Sequence, residues 1–118
     1  MPGFVVLQHD HPQSLHWDFM LEFDNHLFTW SLPLPPCYNH LLPATALPGH
    51  RKVYLDYEGP VSKGRGRVAR WDRGRFELLI REENLLEVNL CGEKLAGRLR
   101  IERATASDDQ WRWLLTPR

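Results

Sequence analysis

His16-Trp17-Asp18-Phe19-Met20-Leu21-Glu22-Phe23 is the stretch whose pattern decides the fold. Large apolar side chains take every second position, at Trp17, Phe19, Leu21 and Phe23. Between them stand His16, Asp18, Met20 and Glu22. Side chains of an extended strand point alternately to its two faces. The pattern therefore predicts a strand with one core face and one face bearing an imidazole and two carboxylates. Asp24-Asn25 follows as a turn signal, and Leu27 to Leu32 reads as the return strand of a hairpin.

Outward from this hairpin the same period continues. Phe4 to Gln8 reads as a strand before it. Residues 33–48 hold five of the nine prolines and read as a loop with a short helix near Tyr38–Leu42. Arg67 to Trp71 and Arg75 to Ile80 read as strands on either side of a turn at Asp72-Arg73-Gly74. Leu85 to Cys91, Leu95 to Glu102, and a last strand carrying Trp111, Trp113 and Leu115 complete the chain, with a turn at Gly92-Glu93. About eight short strands with little helix predict an all-β fold, a small closed antiparallel β-barrel. Closure removes the open edges of such a sheet, and a two-sheet sandwich is the competing architecture.

Composition sets the frame. At 118 residues, 42% apolar and 25% charged, the chain is expected to be one globular domain, residues 1–118. No apolar run is long enough for a bilayer-spanning helix, and Met1-Pro2-Gly3-Phe4 does not open a signal peptide. A cytoplasmic protein with no membrane partner is expected. Cys37 and Cys91 fit no zinc-ligand spacing and are expected to be reduced thiols. The net charge is zero, but residues 1–62 carry six acids against two bases, and residues 63–118 thirteen bases against nine acids. The first half suits a cation and the second an anion.

The chemistry concentrates in the first half. His16, Asp18 and Glu22 share one strand face, and His9 precedes them across the Pro12 loop. Two imidazoles and a carboxylate form a ligand set for Mn²⁺, Fe²⁺ or Zn²⁺ with open positions. His9 is the expected third ligand, with His11 in reserve. The plain alternative is a polar strand face with no ligand. His50 and Tyr54 offer a proton donor and a hydroxyl for an oxygen. Lys63, Arg65, Arg67 and Arg70 open the densest basic cluster, a candidate phosphate-backbone contact or simply a solvated hairpin. Gly64 and Gly66 there would let the backbone approach a ligand.

Taken in order, these residues resemble the 3′-phosphoesterase domain of bacterial DNA ligase D. The family pattern runs His-Asp, a short loop, then Leu-His-Tyr-Asp-Phe-Arg-Leu-Glu. Here it is His9-Asp10, then Leu15-His16-Trp17-Asp18-Phe19-Met20-Leu21-Glu22. Thr29-Trp30-Ser31-Leu32-Pro33 is similar to the family's Ser-Trp-Ala-Val-Pro. His50, Tyr54 and Asp56-Tyr57-Glu58-Gly59 match its His, Tyr and Asp-Phe-Glu-Gly, and Trp71-Asp72-Arg73-Gly74 and Gly92-Glu93-Lys94-Leu95-Ala96-Gly97 match its last two motifs.

The resemblance implies a manganese-dependent enzyme at one end of a β-barrel. It would trim 3′ ends of DNA or mixed DNA/RNA primer-templates, removing a terminal ribonucleoside and then the 3′-phosphate, alongside DNA ligase and repair proteins. It implies His9, His16 and Asp18 as metal ligands, with zinc as the alternative metal, His50 and Tyr54 beside the scissile phosphate, and Glu22 near them. Met20 and Leu34 stand where the family has a phosphate-binding Arg and a Lys, no Arg lies near Leu42, and the loop after His9 is one residue longer. Weakened end processing is expected, with Arg51, Arg65 or Arg67 replacing the missing cations and Met20 looking straight into the site. Two other functions compete. One is a metal- or nucleic-acid-binding module without catalysis. The other is a cupin-like metalloenzyme acting on a small substrate, against which the chain has no Gly-x₅-His-x-His pattern.

Overall fold

A computed structural model describes all of residues 1–118. The strands are β1 (Gly3–His11), β2 (Ser14–Phe23), β3 (His26–Leu32), β4 (Leu42–Arg51), β5 (Gly59–Pro60), β6 (Arg67–Glu82), β7 (Leu85–Gly92), β8 (Ala96–Glu102) and β9 (Gln110–Pro117). Hydrogen bonding runs β1-β2-β3-β4-β9-β8-β7-β6, and β6 pairs back onto β1, closing an antiparallel ring of eight strands. The short β5 adds to β6 outside the ring. Closure rules out the open sandwich.

Alternation fills the ring. Trp17, Phe19, Leu21 and Phe23 are all buried, and they join Phe4, Trp30, Phe76, Leu99, Ile101 and Trp113 in one interior core. The interior is therefore solid, and the polar face of β2 is on the outer wall. That wall is covered too. Residues 52–61, beginning with a 3₁₀ turn at Lys52–Leu55, cross it as a strap. Tyr54, Leu55, Tyr57 and Val61 pack there on Val5, Leu7, Met20, Leu27 and Val68 as a second, smaller core.

Two local expectations are corrected. The 33–48 segment is not a loop with a short helix: Tyr38–Leu42 forms no helix, Tyr38 bridging to Leu115, and from Leu42 onward the chain is strand β4, held between β3 and β9 despite its prolines. The Asp72-Arg73-Gly74 segment is no turn but lies inside the 16-residue strand β6. Asp72 is 2% exposed, with Oδ1 accepting the N–H groups of Arg73, Glu93 and Lys94, and Oδ2 that of Leu95. It fastens the β7–β8 turn to β6. A Cβ on Gly74 would sit 2.1 Å from the Cys91 carbonyl oxygen, so the glycine serves close strand approach. The residue types that favour turns are equally those that satisfy backbone N–H groups and let strands touch.

Candidate metal centre

The site grows from strand pairing. β1 and β2 pair with His9 opposite His16 and Leu7 opposite Asp18. Residues opposite each other share a face, so the imidazoles of His9 and His16 meet on the outer wall with ring centroids 4.5 Å apart. Asp18, two residues along β2, completes the triangle. One ligand atom from each of His9, His16 and Asp18 falls within 4.8 Å of the others.

The carboxylate is buried, at 3% exposure, and has one atom in hand. Asp18 Oδ2 lies 3.1 Å from His9 Nδ1. Oδ1 lies 3.3 Å from His16 Nε2 but outside hydrogen-bond geometry, and so has no hydrogen-bond partner. A buried acceptor left in this state between two imidazoles fits a cation ligand. Burial alone would push the Asp18 carboxyl up; the adjacent imidazoles of His16 and His9 outweigh it and hold the group below its ordinary value. The hydrogen bond to Asp18 raises His9, against the effect of burial and with help from the Arg65 carbonyl.

That carbonyl is the feature the sequence did not reveal. Arg65 O lies 2.7 Å from His9 Nε2, across 56 positions of chain. With Nε2–H donating to it, the Nδ1 lone pair is left for the centre, the arrangement usual for metal-ligating histidine. Gly66 makes the approach possible: with φ +82°, it comes so close to β1 that a Cβ would lie 1.9 Å from the Asp10 carbonyl oxygen. Gly66 thus serves contact with β1, where the residue pattern suggests a ligand, whereas Gly64 faces open space at a φ of +67°. The signal available was the Gly-Arg-Gly spacing, but nothing local names His9 as its target.

Other candidates are placed as follows. His50 Nδ1 is 3.0 Å from both Thr29 Oγ1 and the Pro48 carbonyl oxygen, and its ring meets that of Tyr54 edge-on at 5.5 Å. His50 pairs with Leu27, itself opposite Glu22, and its ring reaches from that level along the wall to Thr29, which pairs with Met20. Glu22 is six positions beyond His16 on β2, roughly 20 Å at the rise of a strand. Its Oε2 lies 2.8 Å from Lys52 Nζ and its Oε1 accepts the Gly3 N–H at 2.8 Å. Lys52, then the Gly3 N–H, hold its carboxyl below the usual range. Glu22 thus anchors the strap and does not join the metal cluster. Met20 is 1% exposed beneath the strap, so it does not look into the open site.

The basic residues divide. Arg65 and the exposed Lys63 sit in the loop beside His9, and exposed Arg67 pairs with Asp10 next to it. The Arg65 guanidinium turns back onto Ser62, at 2.9 and 3.0 Å. Arg70 is fixed through its N–H to Glu58, and its Nε is buried with no partner. Arg51 pairs with His26 at the opposite end of the wall, away from the cluster. Elsewhere Arg98, Arg100 and Arg112 pair with Glu87 and Glu102 across β7, β8 and β9.

A family model described as the DNA Ligase D 3'-phosphoesterase domain matches residues 7–103. The chain is 34% identical over 122 residues to "Multifunctional non-homologous end joining protein LigD" of Pseudomonas aeruginosa, covering 95% of this chain and 14% of that protein. It is 32% identical over 119 residues to "Multifunctional non-homologous end joining DNA repair protein LigD" of Mycobacterium tuberculosis, covering 92% of this chain and 15% of the relative. It therefore spans a small part of the length of these relatives.

Proposed function

Because this chain belongs to the DNA ligase D 3′-phosphoesterase domain family, we propose that it hydrolyses phosphoesters at nucleic acid 3′ ends with a divalent cation held by His9, His16 and Asp18. Manganese is the first candidate, with zinc the alternative. The observation that carries this is the buried, partnerless Asp18 Oδ1 between two imidazoles, with the Arg65 carbonyl orienting His9. A cation there would supply positive charge against the phosphoryl oxygens as negative charge develops on them. His50 keeps Nε2 free, because its Nδ1 faces Pro48 and Thr29, and so, when both ring nitrogens carry protons, can hand the Nε2 proton to the leaving oxygen beside the Tyr54 hydroxyl. The test is Mn²⁺-dependent release of phosphate from a 3′-phosphorylated primer. Slow but measurable turnover is expected, since Met20 and Leu34 supply no cation.

The protein is proposed to act in the cytoplasm on 3′ ends presented for repair, beside a ligase. No helix is long and apolar enough to cross a membrane, and Cys37 and Cys91 are both free thiols, as a reducing compartment favours.

Cation affinity should depend on pH in a fixed direction. In the metal-free protein Asp18 holds the proton on His9 above the ordinary histidine value. A cation must displace that proton, so affinity falls as pH drops through the raised value and levels off above it. Calorimetric Mn²⁺ titrations in buffers of different ionisation enthalpy should show proton release near neutral pH. Affinity independent of pH between about 5.5 and 8, with no release, would exclude His9 as a ligand.

Nucleic acid binding should rest on the loop beside His9. Lys63→Glu with Arg67→Glu should weaken primer-template binding and reduce the slope of log affinity against log salt by about two, one for each phosphate no longer neutralised. An unchanged slope places the phosphate-binding cations elsewhere.

A further inference from the structure

His11 takes no part in the cluster: its nitrogens are not among the ligand atoms within 4.8 Å of one another. It is nonetheless built into the same corner. His11 lies two residues past His9 on β1, opposite Ser14, and therefore on the same outer wall. Its ring centroid is 5.5 Å from that of His9, edge to face, and 6.4 Å from that of His16. The hairpin that follows fixes its proton. The backbone N–H of Gln13 donates to His11 Nδ1 at 3.1 Å. An Nδ1 that accepts carries no proton, so the imidazole is an Nε2–H donor, with Nε2 facing away from the turn.

A donor on this rim has an evident use. A phosphate on the cation presents oxygens just beyond the ligand shell. Two of the cations one would look for there are missing or committed: Met20 is buried without charge, and Arg65 is bound to Ser62, which leaves the exposed Lys63 and Arg67 in the loop beside His9. His11 is half-buried and its Nε2–H has no acceptor in the protein.

We propose that His11 is a phosphate-recognition residue, its Nε2–H donating to a non-bridging oxygen of a phosphate bound at the His9–His16–Asp18 centre. This rests on the function proposed above and adds a residue to that site.

Two measurements test it. In the metal-free protein, long-range ¹H–¹⁵N correlation spectra of the histidine rings should show the His11 proton on Nε2. In the Mn²⁺-loaded protein, inorganic phosphate is titrated calorimetrically into wild type, His11→Ala and His11→Gln, with melting curves confirming the fold. His11→Ala should bind Mn²⁺ within about twofold of wild type and bind phosphate roughly tenfold or more weakly, as expected for a hydrogen bond to a charged group. His11→Gln, which keeps an N–H donor, should recover part of the loss. A proton on Nδ1, unchanged phosphate affinity in His11→Ala, or Mn²⁺ affinity falling in parallel with phosphate each overturns the proposal while leaving the metal centre standing. A wild type that binds no Mn²⁺ overturns the metal centre and this inference together.

Discussion

Asp18→Asn is expected to abolish tight Mn²⁺ binding and to lower 3′-phosphate hydrolysis by roughly a thousandfold or more, since the charge a cation brings to a phosphoryl group is worth several kcal/mol. The change is nearly isosteric, so its effect is electrical. Asp18 is the only carboxylate of the cluster, it is buried, and its Oδ1 has no hydrogen-bond partner. An amide in its place offers one neutral oxygen and turns an N–H₂ toward His9 or His16. The measurements are a calorimetric Mn²⁺ titration and phosphate release from a 3′-phosphorylated primer, with a melting curve of the metal-free protein as control. Undiminished turnover with Mn²⁺ still bound would show that the cation is held elsewhere. Loss of both with the fold intact is the expected outcome.

The second large effect is on stability and lies away from the site. Asp72→Ala should cost about 4 kcal/mol or more, because buried N–H groups that lose a charged acceptor each forfeit roughly 1–3 kcal/mol. Four backbone N–H groups converge on this carboxylate, from Arg73, Glu93, Lys94 and Leu95. The carboxylate is packed hard against this turn: a Cβ on Gly92 would lie 2.5 Å from Asp72 Oδ2. A loss of this size should lower the melting temperature by about 15 °C in a chain of this length. Asp72→Asn, keeping one acceptor oxygen, should lose about half as much. A melting temperature within about 3 °C of wild type for Asp72→Ala would mean that water enters and satisfies the turn.

These two aspartates show how far the sequence can be read. Asp18 was legible because the information is local. Strict alternation from His16 to Phe23 assigns each side chain to a face, and a one-residue slip would bury the charges. The same period in the other segments marks the strands, and the small size of the sheet argues for closure. The composition around Asp72 was misleading because Asp-Arg-Gly is turn chemistry in isolation. Three of the four N–H groups its carboxylate accepts lie 21 to 23 residues away, on a turn that only the folded ring brings beneath it.

By itself, then, the sequence determined most of the strands, which side chains of β2 face the interior, and the imidazole and carboxylate on its opposite face, because each follows from a period of two residues. The proline-rich β4 and the continuity of β6 through Asp72-Arg73-Gly74 lie outside that period and were decided by pairing in the closed ring. Tertiary structure decided what covers that opposite face. The strap from Lys52 to Val61 buries Met20 and binds Glu22 at the far end, removing both from the metal corner. The Arg65 carbonyl reaches His9, and Arg51 is carried to the other end of the wall. Such contacts join segments tens of residues apart, and no local pattern encodes which backbone will pass over which side chain. They are set by closure of the ring and by the requirement that a second apolar surface, on Val5, Leu7, Met20, Leu27 and Val68, also be removed from water.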